Sequence, residues 1–232
     1  MRRYDFVLLD ADNTLFDFDA AERKALRTVL EERGYTADSA TVEIYTTINT
    51  ELWAAFARGE AEQDHILVER FRRFQAAVGG KHDPELFNAD YQKALGANAD
   101  LLPGALELCK NLAAGGCVLA IVTNGAAVAQ RGRYAASPIR DHVPHLFISQ
   151  ELGVGKPDPL FFDHVCRKMG ISDRSRAVVV GDSLASDILG GNRAGIDTIW
   201  YNPRGVPLTG PARPVRTAAD LSEIEAVILG KL

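Results

Sequence analysis

Apolar residues along this chain fall into two patterns. In the first, short unbroken runs stop abruptly at polar groups: Phe6-Val-Leu-Leu9 at Asp10, Val118-Leu-Ala-Ile-Val122 at Thr123, and Ala177-Val-Val-Val180 at Gly181-Asp182. A strand buried on both faces needs such a run, so these read as central strands of a parallel sheet, joined by shorter ones at Leu146–Ile148 and Thr198–Tyr201. In the second pattern apolar positions recur every three or four residues, as in Ile66, Phe71, Phe74 and Val78. That spacing predicts helices over residues 20–34, 40–58, 62–78 and 84–95, and again over 103–114, 126–136, 159–169, 186–194 and 221–229. The punctuation agrees: Asp19 and Glu22 form a capping-box-like start to the first helix, Gly34 supplies its stop, and Pro103 and Gly115-Gly116 bracket the fifth.

The order of these elements defines the fold class. Four helices in a row, about eighty residues, follow the first strand, whereas a βαβ crossover needs only a dozen or so. Thereafter strand and helix alternate. The expected architecture is α/β, a doubly wound parallel sheet with right-handed crossovers and a helical-bundle cap inserted after the first strand. Residues 1–16 and 100–232 then form the α/β core and residues 17–99 the cap. Because the insertion leaves the sheet just past Asp10 and Asp12, it is expected to hang over the site those acids belong to. The Pro- and Gly-rich stretch Pro203–Pro214 reads as a surface loop.

Composition narrows the function classes. With 47% hydrophobic and 25% charged residues the chain is of ordinary globular type. A net charge of −5 argues against a nucleic-acid partner, since binding by counterion release needs clustered Lys and Arg. No run approaches ~18 apolar residues and the opening run is too short for a signal peptide, so neither a membrane partner nor export is expected. Cys109, Cys117 and Cys166 have no paired spacing and read as reduced thiols of a cytoplasmic protein. His65, His82, His142, His145 and His164 show no zinc-ligand pattern.

Three strands carry polar groups at the same end: Asp10 and Asp12, Thr123 and Asn124, and Asp182 and Ser183, with Asp187 on the turn that follows. In open α/β sheets ligands bind at the carboxyl edge, and acids gathered there must be solvated, protonated or bound to a cation. Asp10, Asp182 and Asp187 offer hard oxygens that suit Mg²⁺, an ion that keeps several waters and sits with substrate phosphates. Lys156, in Gly153-Val-Gly-Lys-Pro-Asp-Pro159, is the natural positive charge for phosphate chemistry. This stretch is not a P-loop, because Pro157 stands where the magnesium-binding Ser or Thr would be. The Thr123 hydroxyl and the amides after it have the character of a phosphate cradle at a helix start.

Asp10-Ala-Asp12-Asn-Thr-Leu, Thr123-Asn124, Lys156-Pro157-Asp158 and Gly181-Asp182-Ser183 with Asp187 resemble, in order and spacing, the four motifs of the haloacid dehalogenase (HAD) superfamily of hydrolases. The helical insertion resembles that family's helical-bundle cap. The stretches 10–19 and 180–195 are similar to those of the noncanonical pyrimidine nucleotidases within it, house-cleaning phosphatases of nucleoside 5′-monophosphates. The resemblance implies an HAD-like core and an Mg²⁺-dependent phosphatase acting on a small-molecule phosphate ester, a nucleoside monophosphate. It implies that Asp10 attacks phosphorus, that Asp12 protonates the leaving oxygen and then activates water, and that Thr123, Asn124 and Lys156 bind the phosphoryl group. It further implies that Asp10, the Asp12 carbonyl and Asp182 hold the metal, with Asp187 orienting waters or Lys156.

Aromatic and amide residues of the insertion are candidates for reading the rest of the substrate: Phe16, Phe18, Tyr45, Asn49 and Trp53. Competing readings are a sugar-phosphate phosphatase, a phosphoglucomutase-type phosphotransferase, a 2-haloacid dehalogenase and a non-catalytic binding protein. The second acid, Asp12, argues against the dehalogenase, and four intact motifs argue against a binding protein. A monomer or homodimer is expected.

Overall fold

The computed structural model describes residues 2–231; the outermost positions of the expected core, 1 and 232, lie outside them. In chain order come β1 (Phe6–Leu9), α1 (Phe18–Glu32), α2 (Ser39–Ala57), α3 (Gln63–Val78), α4 (Pro84–Gly96), α5 (Ala105–Ala114), β2 (Val118–Thr123), α6 (Ala127–Ala136), β3 (His145–Ile148) and α7 (Ser149–Leu152). Then follow α8 (Pro159–Met169), β4 (Ala177–Gly181), α9 (Leu189–Arg193), β5 (Asp197–Tyr201), β6 (Arg216–Ala218) and α10 (Leu221–Ile228). Two compact units result: residues 2–18, 99–127 and 134–231 form one, residues 19–98 and 128–133 the other.

The first unit is built on a parallel six-stranded sheet in the order β3-β2-β1-β4-β5-β6. β1 is therefore central, flanked by β2 and β4, and the three strands with polar ends are neighbours. Leu9 pairs in register with Ile121 and Val180, so the three strands end within about two residues of one another at the same edge of the sheet. Period-two alternation divides the strand residues between two apolar layers. Leu9, Ile121 and Val180 pack with Leu108 and Leu112 of α5 and Ile224 and Ile228 of α10. Leu8, Ala120 and Val179 face the other way, onto Phe161, Phe162 and Val165 of α8. All these side chains are buried.

The second unit is helical, as its spacing predicts. Asp38 caps α2 by accepting from Thr41 N, and Asp83 caps α4, with Pro84 in its first turn. Tyr45, Phe71, Phe74, Phe87 and Tyr91 fill its interior, Phe71 and Phe87 stacked at 4.3 Å. α1 begins at Phe18, so Asp19 falls within the first turn rather than at the cap, and the Glu22 carboxylate accepts from Asn49 Nδ2 (3.0 Å) and Tyr91 OH (3.2 Å). Two strands or helices have no counterpart in the apolar pattern, β6 and α7, each too short for periodicity to register. Among the described residues no helix is long and apolar enough to cross a membrane.

Candidate active site

Lys156 organises the carboxyl edge of the sheet. Its ammonium donates to Asp10 Oδ1 (2.6 Å), Asp187 Oδ1 (2.6 Å) and the Val122 carbonyl (2.7 Å), three acceptors for three N–H bonds. The side chain is 1% exposed, so these bonds replace all of its hydration. Oxygens of Asp10, Asp182 and Asp187 lie within 4.8 Å of one another. Residues more than 140 positions apart thus meet because β1, β2 and β4 are adjacent.

Local chain geometry sets each group. The Asp10 amide continues the sheet by donating to Val180 O (2.8 Å), after which the chain turns tightly: Leu15 and Phe16 both donate to Ala11 O, and Asn13 takes a left-handed φ of 58°. Asp12 sits half-buried on this turn. After β4, the amides of Asp187 and Ile188 both donate to Ser183 O, widening residues Leu184–Ile188 into a π-helical turn where an ordinary helix from 186 is expected. The Asp187 carboxylate folds back onto Ser183 N (3.1 Å), against Gly181, where a Cβ would overlap it. Trp200 Nε1 holds the Asp182 carbonyl (2.8 Å). Thr123 is buried, its hydroxyl accepting from Gly125 N (3.0 Å). The Asn124 carboxamide pairs with the Lys156 main chain through both of its ends.

The electrostatics are one-sided. Burial pushes the Asp10 carboxyl well above the usual carboxylate range; Lys156 opposes this, while Asp187, Asp182 and Asp12 add to it. Asp182 is pushed up to about 7 by burial and then by the charge of Asp187. Burial alone would lower the Lys156 ammonium, but Asp10 and Asp187 more than offset it and hold it above lysine's ordinary range. One lysine does not balance three acids, of which Asp10 and Asp187 are buried and Asp182 half-buried. A hard divalent cation fits the donor set and the excess charge.

The predicted residues thus divide. Asp10, Lys156, Asp182 and Asp187 converge, and Asn124 and Thr123 adjoin them on β2 and its exit. The side chains proposed to read the substrate are placed differently. Phe16 is 1% exposed within the apolar layer beside β1, and Tyr45 and Asn49 are buried in the helical unit, Asn49 held by Glu22 and Arg70. Phe18 and Trp53 are half-buried, Trp53 edge-on to Phe56 at 5.6 Å. Sequence reasoning missed the Val122 carbonyl and the Ser183 amide, for which no side-chain signal exists, and Trp200, which reads only as an apolar strand residue.

Residues 4–195 match the family model of haloacid dehalogenase-like hydrolases, and the chain belongs to that family. It is 36% identical over 211 residues to pyrimidine 5′-nucleotidase PynA of Streptococcus pneumoniae, covering 91% of this chain and 89% of that one. It is 31% identical to pyrimidine 5′-nucleotidase YjjG of Escherichia coli, over 97% of this chain and 98% of that protein. Among solved structures, the HAD-hydrolase YfnB from Bacillus subtilis bound to magnesium superposes with a TM-score of 0.91 at 32% identity, covering 98% and 99% of the two chains.

Proposed function

We propose that this hydrolase is a magnesium-dependent phosphatase that works through an aspartyl phosphate, and that its substrates are pyrimidine nucleoside 5′-monophosphates. The observation that carries the reading is the Lys156 ammonium bridging Asp10 and Asp187 inside a buried acid cluster, two residues from a second acid, Asp12. A carboxylate approaches an anionic phosphate only where positive charge is already in place.

Asp10 attacks phosphorus, the ester P–O bond breaks, and Asp12 delivers a proton to the departing oxygen. Asp12 then takes a proton from water as that water attacks the phosphorus of the aspartyl phosphate. The bond to the Asp10 oxygen breaks, and inorganic phosphate and free carboxylate are restored. Throughout, Lys156 holds Asp10 and offsets charge. Thr123, whose oxygen already accepts from Gly125 N, turns its proton toward a phosphoryl oxygen. The Asp10 carboxylate, the Asp12 carbonyl and Asp182 would hold Mg²⁺, with Asp187 behind. The ion, when bound, supplies Lewis acidity and shields the like charges of carboxylate and phosphate.

Two nucleotidases that resemble this chain over some nine-tenths or more of both lengths support the substrate class. Phe18, half-buried in the unit that carries the acid cluster, is an aromatic group suited to stack on a base. The test is a panel of phosphate esters assayed with magnesium and with EDTA. Pyrimidine monophosphates should be turned over fastest, and EDTA should abolish turnover. Sugar phosphates hydrolysed far faster than any nucleotide would overturn the substrate assignment, and full activity in EDTA would overturn the metal dependence.

A further inference from the structure

We propose that Asn124 acts on the reaction through Lys156, as the residue that positions the lysine, and not as a ligand of the phosphoryl group. This rests on the reading of Lys156 given above. The Asn124 Oδ1 accepts from Lys156 N at 2.9 Å and its Nδ2 donates to Lys156 O at 2.7 Å, so one carboxamide satisfies both main-chain groups of one residue, as a neighbouring strand would. At its far end the lysine donates to the carbonyl of Val122. Val122 and Asn124 flank Thr123 at the end of β2, so the same strand end grips Lys156 at root and tip.

The rest of the site is shaped for this grip. A Cβ on Gly155 would lie 2.7 Å from Asn124 Oδ1 and 2.9 Å from Ser149 Cβ, so only glycine leaves room for the carboxamide. The ammonium has three acceptors at 2.6–2.7 Å, an arrangement that tolerates little movement of the lysine's main chain. Freezing a lysine side chain costs rotamer entropy, and a fixed main chain reduces what the tip contacts must still offset. Two bonds aim the carboxamide along the Lys156 backbone and fix its plane there.

Asn124→Ala tests the assignment in two ways. Hydrogen–deuterium exchange of the peptide spanning 153–158 should quicken about tenfold or more while β1 and β4 peptides stay protected, because the Lys156 amide loses its acceptor. With para-nitrophenyl phosphate and magnesium, kcat should fall about 30- to 100-fold with KM changed less than about threefold, the signature of a misplaced group. In a Lys156→Ala background, or Lys156→Met if that folds better, Asn124→Ala should cost no more than about threefold further. Losses that multiply, a rise in KM alone, or unchanged exchange would overturn the positioning role. Full activity in Lys156→Ala by itself would instead overturn the role given to the lysine, a distinct outcome.

Discussion

Two buried cations, Arg70 of the helical unit and Lys156 of the sheet unit, are held in opposite ways. Arg70 of α3 donates to Asn88 Oδ1 (2.8 Å), Leu67 O (3.1 Å) and Asn49 Oδ1 (3.2 Å) and lies over the rings of Tyr91 and Phe71. Asn49 and Tyr91, which both contact Arg70, also donate to the Glu22 carboxylate, so a negative charge is linked to the positive one across a neutral amide and a ring. Lys156 instead sits among acids that outnumber it. A balanced buried network specifies how helices pack; an unbalanced one stores a demand for further positive charge, and that is the mark of the reactive site.

The sharpest way to break this contrast is Asp10→Asn. Under the proposed mechanism, in which Asp10 is the nucleophile, turnover of para-nitrophenyl phosphate should fall on the order of 10⁴-fold or more. The thermal midpoint in EDTA should stay level or rise, because a carboxyl that burial already penalises is replaced by a neutral isostere. Activity within tenfold of the parent would reject Asp10 as nucleophile.

Arg70→Met should do the reverse. Removing the cation from a network that depends on it should cost about 2–4 kcal/mol in denaturant unfolding, with kcat per folded molecule little changed. A dead but fully stable variant would show that the helical network serves chemistry.

Proton linkage separates the networks next. In the metal-free protein the neutral form of Asp182 is the favoured one, so its contribution to stability is complete below its ordinary value of 3.8 and is lost as pH rises through about 7. Bound as proposed, Mg²⁺ must displace that proton. Its affinity, followed by calorimetry, should climb up to about tenfold per pH unit between pH 5 and 7 and level off above. A flat profile would remove Asp182 from the ligand set.

The smallest effect is expected at Asn49. Asn49→Leu should cost about 1–3 kcal/mol by stranding Arg70 and Glu22, and should leave the ratio of pyrimidine to purine turnover unchanged. A shifted ratio at full stability would make Asn49 a reader of the base after all.

Strands were the most legible part of this chain: the bounds expected for Val118–Thr123 and Ala177–Gly181 coincide with β2 and β4, because a fully buried strand must be apolar at every position and stop where polarity begins. β6 escaped, since Arg216-Thr-Ala offers no run. The turn at Leu184–Ile188 overlaps the plain helix expected from Ser186, and nothing in its residue types announces two amides converging on Ser183 O. Phe16 and Asn49, candidates for reading the substrate, are both buried, and residue type alone does not separate an aromatic or amide facing a ligand from one facing a core.

What the sequence determined by itself was the set of strand ends, the helical insertion between the first two, and the acids and lysine at the edge, because burial patterning is a property each residue carries locally. What only the tertiary structure decided was pairing: that Lys156 meets Asp10 across 146 positions and Asp187 across 31, that Asn124 holds the lysine's backbone, and that Glu22 accepts from Asn49 and Tyr91. Hydrogen-bond partners are chosen by proximity after the sheet has ordered its strands, and each polar group then takes the nearest partner that burial leaves it.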